Sequence, residues 1–257
     1  MNKRLLAAMA GLLLGAAAHA APSYAVLSLV GDKLDIVTFQ PTTGSLVDPN
    51  SHTPLVMPQD DLDVAALRAI NRSLKAAVPG AQVALLAASK AEDFSGQERI
   101  FSGDHVTLPA EIDAAVHREG ASMLVLVTRH HGEAHMQSFN DKLGSGRIDG
   151  LGFYVDGNKW IDNRDTGTTS QGYIAPFVYI DVSLVDLATG TVVKRRTIES
   201  GRVVEAAHNT QGTNAWQALT PAEKVSMLTR LLTEQLDAAV PALVTGHAAG
   251  AEASAQR

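Results

Sequence analysis

The chain has 257 residues, a formal net charge of −6 and no cysteine. Without cysteine there is no disulfide framework, no thiol chemistry and no cysteine-borne lipid anchor, so the fold must rest on a packed core. An acidic chain lacking a basic run offers no electrostatic footprint for nucleic acid or anionic lipid.

Residues 1–20 read as a cleavable signal peptide. Lys3 and Arg4 give the positive start, residues 5–18 an unbroken small and apolar run, and Ala18-His19-Ala20 the small-x-small cleavage pattern. That run falls short of the roughly 20 apolar residues a spanning helix needs, and no later stretch approaches it. The sequence therefore predicts an exported mature chain, 21–257, without a transmembrane segment and located in the periplasm or beyond it. Loss of Lys3 and Arg4 takes its charge from −6 to −8.

Residues 24–30 and 33–39 are β-rich segments separated by Gly31-Asp32, a spacing that predicts a tight hairpin. Residues 40–58, with Pro41, Gly44, Pro49 and Pro54, read as loop. Asp60 or Asp61 caps a predicted helix with the stripe Val64, Leu67, Ile70, Leu74 and Val78, stopped by Pro79-Gly80. Residues 82–87 read as a short buried strand and 88–105 as irregular. Pro109 opens a second helix with Ile112, Ala115 and Val116 inward, ending at Gly120. Residues 122–128 form the clearest buried strand and are predicted to run on, exposed, to Met136.

A glycine-rich stretch follows from Gly144 to Gly172, in which Asp156-Gly157-Asn158 marks a predicted hairpin turn. Residues 177–187 and 191–198 predict a second hairpin around Ala188-Thr189-Gly190, with Val178, Ile180, Val182 and Leu184 toward the core. Thr220, Pro221 and Glu223 make a capping-box start for a helix with the stripe Val225, Leu228, Leu232, Leu236 and Val240. The Ala-rich residues 245–257 read as a disordered tail. The order predicts one α/β domain over 21–244, an α+β-like mixed sheet flanked by helices, with 137–175 as a glycine- and aromatic-rich hairpin insertion.

Gly-Ala-Ser-Met-Leu-Val-Leu-Val at 120–127 and the run from Tyr179 to Val193, with Asp186, Thr189, Gly190 and Val192, carry a family likeness. With the leucine-rich helix from Pro221, they resemble periplasmic domains of the curli-secretion and penicillin-binding-protein-activator lipoproteins, over residues 60–130 and 176–243. The resemblance implies a shared fold type and a periplasmic scaffold or adaptor role. The chain departs from those proteins in lacking a lipidated cysteine, and 137–175 has no counterpart among them.

Two groups of residues are candidate sites. On a continuous strand, His131, Glu133 and His135 share one face about 6.6 Å apart, a start for a zinc or copper site. Gly132 separates His131 from Glu133, so the helical zinc-protease pattern does not match. The second group is aromatic: Phe153, Tyr154, Trp160 and Tyr173 within the predicted insertion suit a protein-contact surface. Trp160 occupies a place where a calcium loop needs an oxygen ligand, and no nucleophile or phosphate-loop motif is present, so no catalytic residue is predicted. The expectation is a non-enzymatic envelope protein binding a protein partner through 137–175, with no cofactor. The alternative is a metal-binding protein or metal-dependent hydrolase built on the His131 trio.

Overall fold

The computed structural model describes residues 22–41, 48, 50–57, 61–88, 96–138, 141–163, 168–205 and 215–254. The predicted signal peptide, part of the predicted 40–58 loop and the last three residues of the predicted tail lie outside the described residues.

Along the chain, β1 (Ser23–Ser28), β2 (Lys33–Phe39) and β3 (Asn50–Val56) precede helix α1 (Asp61–Ala77). β4 (Gln82–Ala87), the short strands β5 (Phe101–Ser102) and β6 (His105–Val106), and helix α2 (Ala110–Arg118) lead to β7 (Met123–Arg129). Three short strands follow, β8 (His131–Glu133), β9 (Met136–Gln137) and β10 (Lys142–Leu143). Then come two long ones, β11 (Arg147–Asn163) and β12 (Thr168–Asp186), and finally β13 (Thr191–Gly201), β14 (Val204–Glu205) and helix α3 (Pro221–Ser254).

All the strands except β9 and β10 join one mixed sheet, and helices pack against it, an α+β arrangement. β12 is its axis. From Tyr173 to Tyr179 one edge of β12 pairs antiparallel with β11; from Ile180 to Asp186 the same edge pairs antiparallel with β7. The other edge carries β14 and β13. Two wings therefore diverge from one strand. In one, β11 pairs parallel with β2, and β2 antiparallel with β3. In the other, β7 pairs parallel with β1, and β1 parallel with β4.

Several sequence expectations change here. β1 and β2 are not a hairpin; residues 29–32 carry the chain from one wing to the other. The backbone N–H groups of Val30 and Gly31 donate to the carboxylate of Asp63 in the first turn of α1, which replaces any turn between the two strands. β3 is a strand where a loop was expected, and Pro54 is tolerated because β3 lies at the edge of its wing. β4 is the edge of the other wing, so Leu85 is exposed rather than buried. Asp156-Gly157-Asn158 is a bulge within β11: Asp156 Oδ1 accepts the N–H groups of Asn158 and Lys159, and the strand then continues to Asn163. Residues 147–156 and 173–175 are therefore part of the main sheet, flanked by other strands, rather than an appended hairpin.

Both faces of the sheet are covered. On one, Leu67, Ile70 and Leu74 of α1 and Leu228, Leu232 and Leu236 of α3 pack onto Val125, Val178 and Val182. At the start of α3 the capping box forms: Thr220 N–H donates to Glu223 Oε2 at 2.8 Å, and Glu223 N–H returns to Thr220 Oγ1 at 3.3 Å. Val225, expected in the buried stripe, is exposed, and α3 continues to Ser254 through most of the predicted tail. On the other face there are two separate cores. One joins Leu27, Leu124, Leu126 and Val185 to Ile112 and Val116 of α2. The second gathers Tyr154, Tyr173, Phe177 and Tyr179 around Met136 and Ile148. The polar pair Asp181 and Ser183 falls between them on β12.

Candidate functional site

The wings part between Tyr179 and Ile180. Gly150 of β11 lies opposite Tyr179, and Arg129 at the end of β7 lies opposite Ile180. Between the two cores of the second face a cleft of about 630 Å³ opens at this seam, within the size range of small-ligand sites. The end of β7 and its exit contribute Thr128, Arg129, His130 and His131, while Lys33 begins β2 and Asp149 lies near the start of β11. Asp181 of β12, Phe101 and the 3₁₀ turn at Gln97–Ile100 close the remaining sides.

Arg129 and His130 are held from behind. The Arg129 guanidinium contacts Asp32 Oδ1, and its side chain is only 11% exposed. Gly150 has φ +67°, and a Cβ there would come within 2.9 Å of Arg129 Cδ, so this glycine is required on both counts. The backbone N–H of Arg129 donates to Gln97 Oε1 at 3.0 Å, and Gln97 Nε2 donates to the carbonyl of Leu29, stitching the turn across the ends of β1 and β7. His130 places Nε2 3.0 Å from Glu199 Oε1 and Nδ1 3.6 Å from Asp181 Oδ2. Asp181 Oδ1 also accepts the Thr197 hydroxyl at 2.5 Å.

The electrostatics follow from the burial. Desolvation pushes the Asp149 carboxyl above the usual carboxylate range, although Arg129, Lys33 and His131 pull it down. Burial lowers the Arg129 guanidinium, with Asp149 opposing that shift. Among the described residues, the Lys33 ammonium, the His131 ring and the Asp149 carboxyl have no hydrogen-bond partner; they face one another only at longer range.

The expected metal trio does not assemble. The strand from Met123 stops at Arg129, and β8 pairs instead with β11, opposite Arg147 to Asp149. β8 ends at Glu133, and Ala134 turns into the core. The His135 ring lies 4.0 Å from Glu133, its backbone N–H donates to the Tyr179 hydroxyl at 3.0 Å, and His131 lies at the cleft. No group of three metal-ligating side chains converges among the described residues.

The expected aromatic surface also divides. Phe153, Tyr154 and Tyr173 are fully buried, because β11 and β12 are covered on both faces. Phe153 meets Trp216 edge-on at 5.6 Å, and Tyr154 stacks on Tyr173 at 6.1 Å. Trp160 alone of the four is outside, 62% exposed. It sits where the sheet has run out. β2 pairs with β11 as far as Val155 and β14 pairs with β12 no further than Tyr173. From Trp160 to Asn163 and from Thr168 to Gln171, the two strands pair only with each other among the described residues. This two-stranded arm turns Ile161 to the core and Trp160 to water.

Sequence reasoning found His131 and Trp160 but missed Arg129, Asp149, Lys33 and Asp181. For Lys33, Arg129 and Asp149 the available signal was a charged residue at or near a strand end, notably Arg129-His130-His131 interrupting the most apolar run; Asp181, inside β12, gave none.

No family model matches the chain, and no curated protein matches it. Solved structures similar to it include a protein of family DUF330 from Xanthomonas campestris, 11% identical over 89% of this chain and 87% of that one, with a TM-score of 0.39. Another is a putative neuraminyllactose-binding hemagglutinin homolog from Helicobacter pylori, 9% identical over 92% and 90%, with a TM-score of 0.40. A PelC dodecamer from Paraburkholderia phytofirmans is 12% identical over 86% of each chain, with a TM-score of 0.30.

Proposed function

We propose that this chain is an exported, periplasmic, non-enzymatic protein that acts as a scaffold or adaptor in the cell envelope and meets a protein partner through the β11–β12 arm. The observation that carries this reading is Trp160, 62% exposed on an arm whose strands have lost their other neighbours. An isolated two-stranded ribbon is marginal in water, and a tryptophan on one supplies the large, stiff contact area that dominates protein interfaces. The signal-peptide pattern at 1–20 supports export, and the resemblance of 120–127 and 179–193 to envelope lipoprotein domains supports the setting.

The register of β11 and β12 gives a way to remove the arm, with the loss of Ile161 from the core. Asp156 pairs with Tyr173, and Gly157 lies against Gly172, so deleting 158–171 joins two glycines into a two-residue hairpin loop. Crosslinking from envelope fractions, with the wild type beside this deletion and Trp160→Ala, is expected to capture a specific protein that both variants lose. Capture undiminished by either variant, or no specific capture by the wild type, would reject the arm as the partner site.

A further inference from the structure

The cleft at the seam is unexplained by the arm, from which it is separated by the length of the Tyr154–Tyr179 core, and its lining has a distinctive balance. Ionised groups at a sheet seam are costly compared with apolar packing. Yet this one buries a guanidinium, fixed by Asp32 outside the cleft, and part-buries a carboxyl that no hydrogen bond satisfies among the described residues. Perturbed ionisable groups held rigidly in a cleft mark ligand sites more often than structural ones.

The chemistry of the occupant follows from what the lining offers. Donors come from Arg129, Lys33 and His131; acceptors come from Asp149, Asp181 and Glu98. A phosphate-like anion would meet three carboxylates and a guanidinium already contacting Asp32. A cation would meet Arg129 and Lys33. An apolar molecule would strip water from all of them without return. A neutral molecule bearing several hydroxyls suits both sets, since each hydroxyl donates one hydrogen bond and accepts others. We propose that the seam between the two wings is a binding site for a neutral polyhydroxylated ligand, a mono- or disaccharide, gripped by the donors Lys33, Arg129 and His131 and the acceptors Asp149 and Asp181.

The test uses the full mature chain with glucose, galactose, N-acetylglucosamine, maltose and lactose as probes, and sodium phosphate as the charged comparison. Saturation-transfer NMR and calorimetric titration are expected to show saturable binding of at least one sugar, with a dissociation constant of about a millimolar or tighter. Asp149→Asn and Lys33→Met are each expected to weaken it about tenfold or more, a loss of one hydrogen-bonding group. Trp160→Ala should leave it unchanged, which separates this site from the arm. Circular dichroism on each variant confirms the fold. No saturable binding by any sugar overturns the proposal, as does binding indifferent to Asp149 and Lys33, or binding of phosphate alone.

Discussion

Gly31 lies so close to Asp63 that a Cβ on it would sit 2.5 Å from the carboxylate Oδ2. The approach is what lets one buried carboxylate accept the N–H groups of Val30 and Gly31, at 3.2 and 3.0 Å, where the chain crosses from one wing to the other. Gly31→Ala should therefore push Asp63 away from both donors. The expected loss is about 2–3 kcal/mol, since hydrogen bonds to a buried charge are among the stronger ones. A urea midpoint indistinguishable from the wild type would show that the contact relaxes freely. Asp63→Asn, which keeps one acceptor oxygen, should cost less than Asp63→Ala.

Tyr154 and Tyr173 are stacked and equally buried, but their hydroxyls differ. The Tyr154 hydroxyl receives the Ser145 N–H and reaches the Ser145 carbonyl and Asn50, whereas that of Tyr173 has no hydrogen-bond partner among the described residues. Burial pushes both phenols upward, Tyr173 the more strongly. Tyr173→Phe removes an uncompensated polar atom and is expected to be neutral or to stabilise by up to about 1 kcal/mol. Tyr154→Phe should destabilise by about 1 kcal/mol. Thermal midpoints of the two variants moving in the same direction would contradict this difference.

The Arg129–Asp32 pair carries a larger cost. Replacing Arg129 by Met leaves Asp32 and the part-buried Asp149 without their nearest cation. The expected destabilisation is about 2–4 kcal/mol, moderated because Asp32 keeps some contact with water. Adding Asp32→Asn to Arg129→Met should recover part of it. A double variant no better than the single one, by denaturant unfolding, would mean that the guanidinium matters for packing rather than charge.

His52 gives the fold a pH dependence. Its Nδ1 is 2.6 Å from Asp35 Oδ2 and its Nε2 3.5 Å from Asp48 Oδ2, tying β3 to β2 and to Asp48, two residues ahead of β3. Burial alone would lower the imidazole, but the hydrogen bond to Asp35 and the charges of Asp35 and Asp48 leave it raised. A raised pKa in the folded state contributes stability that is complete below the unfolded value, about 6.5, and disappears as pH rises through the folded one. Asp48 behaves oppositely. Burial raises it, the N–H groups of Asn50 and Arg147 and the nearby His52 outweigh that, and the stability it adds is lost as pH falls below about 3.8 through its lowered value. With 37% of the imidazole exposed, the His52 effect amounts to a few tenths of a kcal/mol after screening. Midpoints measured from pH 5.5 to 8.5 should decline more for the wild type than for His52→Gln; equal slopes would remove His52 as the cause.

Local patterns in the sequence are legible wherever one element decides them. The capping box at Thr220 and Glu223, the stripe of α1 and the alternation of Val178, Ile180, Val182 and Leu184 are of this kind. The alternation did not show that Tyr179 and Ser183, on the other face, are equally buried, because that depends on Met136 packing with Tyr179 and on Arg195 of β13 reaching over to the Ser183 hydroxyl. Gly31-Asp32 and Asp156-Gly157-Asn158 carry good turn chemistry, yet Asp63 takes up the first and a bulge absorbs the second. The cleft was invisible for a similar reason. Its groups come one or two at a time from β2, the 3₁₀ turn, β7, β11 and β12, so no spacing along the chain announces them.

That both wings hang on β12 sets the order in which the molecule can be made. Tyr24 finds one neighbour at Val83 and the other only at Met123, Asp35 one at Pro54 and the other only at Gly152, and the two wings are not joined until residues 173–186 arrive. A growing or threading chain can pair β2 with β3 and β1 with β4 early, but the joining of the two wings waits for β12, when more than half of the sequence has been made. Truncation anywhere before Asp186 does not give a smaller version of the protein. It leaves two wings with exposed strand edges and no strand to join them, and the β12–β13 hairpin is the step that makes them one sheet.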